Sequence, residues 1–226
     1  MRLHVSPEAR ALGLHHSRAW WLTADAPLLG GDGLTAERVA AAYDAEAPLP
    51  EGYRKLLAGL GHPEVVPAGE RLRTLVSTRG WRSHGAVVDA VSVATLRHGA
   101  GIGLHRLLPE DDGRDLVVAR AAGGERIVPA FSSRSRPVPA GDLVYGVPGP
   151  DGGLEPFAWL GRRDCDSAER QVGADDRKAL LVVLGCPGED AGHTEEIGAT
   201  VAGVLASVRP DITLTPLPLA GGRAGD

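Results

Sequence analysis

The residues best placed for chemistry are Asp89 and Ser92, three apart in Val87-Val88-Asp89-Ala90-Val91-Ser92. On a helix that spacing puts a carboxylate and a hydroxyl on one face, a pair that can accept and donate hydrogen bonds to a polar ligand. Gly103 follows eleven residues after Ser92, within Gly99-Ala100-Gly101-Ile102-Gly103-Leu104-His105. Glycines at 101 and 103 permit a tight helix-to-strand turn and close approach of backbone to a ligand. The same glycines superficially resemble a dinucleotide loop. They follow a helix, have no third glycine in register and no strand before them, which excludes that reading. His105 either offers an imidazole to the site or is an ordinary core or surface histidine.

A second concentration of ionisable groups is Asp164-Cys165-Asp166-Ser167, preceded by Arg162 and Arg163. It reads as a polar loop at the rim of a cleft or as a solvated turn. There is no Gly-x-Ser-x-Gly elbow and no His-Glu-x-x-His, so neither a serine-elbow hydrolase nor a zinc peptidase is indicated. His15 and His16 are adjacent on an extended segment and point to opposite faces, so no metal site is read from them. Cys165 and Cys186 are isolated and read as reduced structural thiols. No cofactor is implied.

A chain of 226 residues with 43% hydrophobic content can bury a sizeable core. One domain over 1–219 is expected, followed by a disordered tail over 220–226. No apolar run approaches the roughly 18 residues of a membrane span, and the first residues carry no leader-like apolar segment, which predicts a cytoplasmic protein. The net charge of −5 weighs against an overall grip on phosphate. Its distribution is uneven: residues 25–70 sum to −5 and residues 71–106 to +5. Arg79, Arg82, Arg97 and Arg106 in that basic band are candidates for tRNA phosphates, and scattered solvated arginines account for it equally well.

The elements that would position these groups change character near residue 100. Ser6-Pro7-Glu8 and Thr35-Ala36-Glu37 open helices from their hydroxyl caps. Helical spacing recurs over Pro67–Ser77, Val87–Leu96 and His193–Val208, while Trp20-Trp21-Leu22 suits a strand within His16–Thr23. After Gly103, short apolar runs at Asp115–Arg120, Glu125–Ala130, Asp142–Val147, Leu154–Leu160, Ala179–Leu184 and Ile212–Leu217 alternate with Gly, Pro and Asp clusters. The pattern predicts an α+β fold, a helical first half packed on a mainly antiparallel sheet.

In order and spacing, Val88-Asp89-Ala90-Val91-Ser92, Gly101-Ile102-Gly103, Val118 to Glu125, Ala140 to Tyr145 and Val172 to Val183 resemble the B3/B4 domain. This is the editing part of the bacterial phenylalanyl-tRNA synthetase beta subunit, which also occurs as a free-standing protein. The resemblance covers about residues 70–185. It implies hydrolysis of the ester of a mischarged tRNA, with a pocket for the amino-acid side chain and a positioned water. It also implies an ion pair between Arg120 and Glu125. Position by position, the family's asparagine falls at Ser92, its threonine at Val91, its pocket histidine at Gly103 and its tyrosine-reading glutamate at Val182. Each departure removes a polar group. A site that hydrogen-bonds a substrate hydroxyl discriminates by several orders of magnitude, whereas an apolar wall gives about 10- to 200-fold per methylene. An apolar pocket not tuned to tyrosine is therefore expected beside Ser92, between the Val88–Leu96 helix and the later strands.

Two functions fit. One is a trans-editing hydrolase acting on mischarged aminoacyl-tRNA, with Asp89, Val91, Ser92, Gly101, Gly103, His105 and Val182 at the substrate. The other is a non-catalytic protein that binds tRNA or an amino acid.

Overall fold

The computed structural model describes residues 1–220; residues 221–226, most of the tail expected to be disordered, lie outside the described residues. Ala220 was expected in that tail, but its N–H donates to the Leu3 carbonyl at 2.7 Å.

In chain order the elements are β1 (Leu3–Val5), α1 (Pro7–Ala11), β2 (Arg18–Ala24), α2 (Ala36–Ala42), α3 (Gly52–Gly59), α4 (Ala68–Arg79), α5 (Ala86–His98), β3 (Ile102–His105), β4 (Leu116–Arg120), β5 (Arg126–Ile127), β6 (Arg136–Pro137), β7 (Leu143–Pro148), β8 (Leu154–Leu160), β9 (Asp164–Asp166), β10 (Lys178–Val183), α6 (Ala191–Val208) and β11 (Ile212–Pro216). The fold is α+β with mostly antiparallel pairing, as the sequence predicts. No helix among the described residues is long and apolar enough to cross a membrane.

Side-chain caps start three helices. Ser6 accepts from the Ala9 N–H at 3.2 Å ahead of Pro7, Thr35 accepts from Arg38 at 3.4 Å, and Asp190 accepts from His193 at 2.8 Å. Helix α5 starts differently, at Gly85 without a side-chain cap. Asp89, in its first turn, reaches back to the His84 N–H and the Ser83 hydroxyl and across to the Leu34 N–H, at 2.7–2.8 Å.

Two sheets face each other. The first runs β11-β2-β10-β3 and the second β1-β4-β7-β8-β9, so β3 and β9 each end a sheet. Strand β10 is buried on both sides, which explains its unbroken apolar run. Its Leu180 and Val182 enter the core between the sheets, with Tyr145 and Phe157. Its Ala179, Leu181 and Val183 meet α5 and α6 through Ala90, Ala94, Ile197 and Val201. The β7–β8 register slips between Tyr145 and Gly146, which pair with Ala158 and Pro156, leaving Phe157 as an extra residue. This bulge puts Phe157 and Ala158 on the same buried face.

The strand expected over Glu125–Ala130 contracts to two residues, paired with β6. Glu125 does not pair with Arg120. Its carboxylate accepts the Ala122 and Gly123 N–H groups, both at 2.9 Å, and Arg120 donates to the Gly59 carbonyl. The glutamate closes its own turn instead of reaching a guanidinium.

Candidate functional site

Where β3 and β9 end their sheets, a cleft opens as two adjoining cavities. The first, about 350 Å³, is lined by Tyr53, Arg71, Gly101, Gly103, Tyr145 and Asp164 among others. The second, about 440 Å³, is lined by Val88, Val91, Ser92, Leu104, His84 and Val172 among others. Ile102, Ala130, Phe131 and Asp166 border both. The first mixes polar groups with apolar walls and is called the polar cavity for its Tyr53, Arg71, Asp164 and Asp166; the second is mainly apolar.

The polar cavity depends on the two-residue period of β9. Asp164 pairs with Leu160 and Asp166 with Ala158, so both carboxylates share the face of those two cavity-lining residues, while Cys165 pairs with Trp159. The Asp164 carboxylate lies 3.2 Å from the Arg71 guanidinium, yet burial holds it above the ordinary carboxylate value. Asp166 keeps 45% of its side chain accessible through the cleft; burial of the rest and the neighbouring charge of Asp164 raise it to about 7. Burial and the neighbouring Asp164 carboxylate hold the Tyr53 hydroxyl well above the ordinary phenol value. Burial also pushes the Cys165 thiol up to about 11, so it is not a nucleophile at neutral pH.

Phe131 stands at the junction. It is 97% exposed and has φ of 61°, a left-handed conformation that an aromatic residue rarely adopts. An exposed, strained aromatic side chain adds nothing to the core, and such strain concentrates at ligand clamps.

The structure brings some of the expected residues together and separates others. Val91 and Ser92 border the apolar cavity, and Gly101 and Gly103 the polar one. Asp89 borders neither; it is fully buried and holds the start of α5. His105 is fully buried, its Nε2 2.7 Å from the Tyr145 hydroxyl, and burial lowers it to about 3. It is a neutral core histidine. Gly103 is required by that pair, because a Cβ there would collide with the Tyr145 hydroxyl and with His105 Nε2. At Gly101 the obstacle is the Tyr53 ring. Val182 is Gly103's cross-strand partner and is sealed in the core, so the wall is apolar there but does not reach the cleft.

The basic band divides. Arg73 is held inside by the carbonyls of Leu96 and Ala47, while Arg79 and Arg82 are exposed near the end of α4. Arg97 faces a separate cavity between α2, α5 and α6. Arg106 has its Nε buried without a partner among the described residues.

No family model matches the chain. No curated protein matches it either. Among solved structures it is similar to an N-terminal fragment of the phenylalanyl-tRNA synthetase beta subunit from Pyrococcus horikoshii, at 9% identity and a TM-score of 0.44. That similarity covers 95% of this chain and 54% of the fragment, so the chain spans about half of the fragment's length.

Tyr53, Arg71, Phe131 and Tyr145 were not singled out by the sequence. Asp164 and Asp166 were, as a polar loop at a cleft rim or a solvated turn; the alternation Asp-Cys-Asp was the signal for a strand with both carboxylates on one face.

Proposed function

We propose that the cleft binds an amino acid carried as an ester on RNA and hydrolyses that ester. The observation that carries this reading is the pair Asp164 and Asp166 on one strand face, where a polar cavity joins an apolar one. The apolar cavity, between Val88, Val91, Leu104 and Val172, takes the amino-acid side chain. Asp164 accepts from the ammonium group or a ribose hydroxyl, and the Tyr53 hydroxyl, which borders the same cavity, donates to the ester carbonyl. Asp166, held near 7, takes the proton of the attacking water and returns it to the departing ribose oxygen, leaving free amino acid and free RNA terminus. Arg79 and Arg82 are the exposed cations offered to tRNA phosphates.

The test is a panel of misacylated tRNAs. Release of an amino acid above the uncatalysed rate is expected, with a preference for apolar side chains and no special rate for tyrosine. Asp166→Asn should lower that rate by about 100-fold or more, and Ser92→Ala should slow it. If every ester survives while a free amino acid binds, hydrolysis is wrong. The non-catalytic binding reading then stands, as the loss of polar groups at Val91 and Gly103 would favour. Binding of tRNA should weaken steeply with added salt.

A further inference from the structure

On another face of α5 from the cleft lies a cavity of about 660 Å³, bordered by Arg38, Val93, Arg97, His98, Glu196 and Thr200 among others. His98 is the last residue of α5, and His193 and Glu196 are three apart near the start of α6, so they share one helix face. The three side chains offer ligand atoms that all lie within 4.8 Å of one another. The two imidazoles meet edge to face, with ring centroids 5.5 Å apart.

The hydrogen bonds around the group fix how one ring is protonated. The Thr200 hydroxyl donates its single proton to the Glu196 carbonyl at 2.9 Å. It is therefore an acceptor towards His98 Nε2, also at 2.9 Å, so Nε2 carries the proton and Nδ1 keeps its lone pair. Metal-binding histidines are oriented in this way by an oxygen on the far nitrogen. His193 Nε2 is buried and unpartnered among the described residues, with the Glu189 carboxylate 4.0 Å away. A buried nitrogen without a partner is a cost unless something else satisfies it.

We propose that His98, His193 and Glu196 form a site for a divalent transition ion of the zinc class, with a fourth coordination position open to the cavity. Two imidazoles and one carboxylate suit such an ion, and calcium or magnesium would want oxygen alone. Bonds of about 2.0–2.2 Å in a tetrahedron set ligand atoms about 3.5 Å apart, so binding draws together whichever of these atoms lie farther apart than that. Glu196 is exposed and free to supply that movement. The Glu196 carboxylate brings a negative charge to a cavity that the guanidinium groups of Arg38 and Arg97 also border. A bound ion ties the end of α5 to the first turns of α6.

The test is metal titration of chelator-stripped protein at neutral pH, by calorimetry with zinc and by visible absorption with cobalt, which reports coordination number. Saturable uptake with a four-coordinate cobalt spectrum and a higher melting temperature with zinc is expected. Thr200→Val removes only the oxygen that orients His98 and should weaken uptake about 10- to 100-fold; Glu196→Gln, at an exposed position, should weaken it at least as much. Circular dichroism checks that both variants remain folded. The proposal is overturned if folded wild-type protein takes up no metal. It is equally overturned if uptake is unchanged in Glu196→Gln and in His193→Gln, which would place the ion elsewhere, for example at His15 and His16. No outcome depends on ester hydrolysis.

Discussion

Asp166 illustrates how a residue acquires a role its sequence neighbourhood does not announce. An aspartate among arginines and a serine reads as a cleft-rim loop or a solvated turn, and it is pairing with β8 as a strand that turns it towards the cleft. Its carboxyl rises from an ordinary 3.8 to about 7 because ionising it there is opposed by burial and by Asp164. The folded protein therefore holds this proton more tightly than the unfolded chain does, and stability should fall as pH rises from about 4 to 7. Denaturant midpoints measured across that range should drop for wild-type protein and flatten for Asp166→Asn. Hydrolysis should move the other way and increase through pH 7 as the base ionises. Phe131 separates stability from function in a different manner. Replacing it with Gly relieves a left-handed strain of about 1–2 kcal/mol at an entropic cost of about 0.5–1. The variant should unfold within about 1 kcal/mol of wild type yet bind the ligand about tenfold more weakly by direct titration.

At the scale of elements, the readable helices were those with a chemical start or a sustained period. Ser6, Thr35 and the apolar rows of α4, α5 and α6 gave them away. Helix α3 was missed because it opens on Gly52 with no capping side chain. Strands β1, β3, β6 and β9 have two to four residues each, too few for alternation to register. Asp89 shows the limit of reading a helix face: the spacing to Ser92 is real, but the carboxylate is consumed by its own helix start. Asp89→Ala would strand the buried Leu34 N–H and release the part-buried His84 N–H, and should cost about 1–3 kcal/mol in chemical denaturation. If it instead abolished ligand binding in a protein of unchanged stability, Asp89 would belong to the site.

For the whole molecule, the sequence identifies an α+β chain but not which sheet edges meet, because that depends on contacts between distant segments. One such contact joins the segments that follow β3 and β9. Arg170, in the turn after β9, forms a buried ion pair with Asp111, in the turn after β3, and lies over the Phe157 ring at 4.4 Å. Its carbonyl also accepts the Arg106 N–H at 2.8 Å. Asp111→Ala leaves a guanidinium buried without its main partner and should cost about 3–5 kcal/mol. The double change Asp111→Leu with Arg170→Met should recover much of it, measured as the midpoint of thermal or denaturant unfolding.

Among the described residues, strand β3 has β10 on one side and no strand on the other. Its outer row of N–H and C=O groups is a template for a strand from another chain, and Gly101 and Gly103 offer no side chains to obstruct one. The edge of β3, beside the cleft that Phe131 borders, is where concentrated protein should begin to self-associate. A molecule that fills the cleft would then act as a solubilising agent, keeping the chain monodisperse whether or not it is turned over.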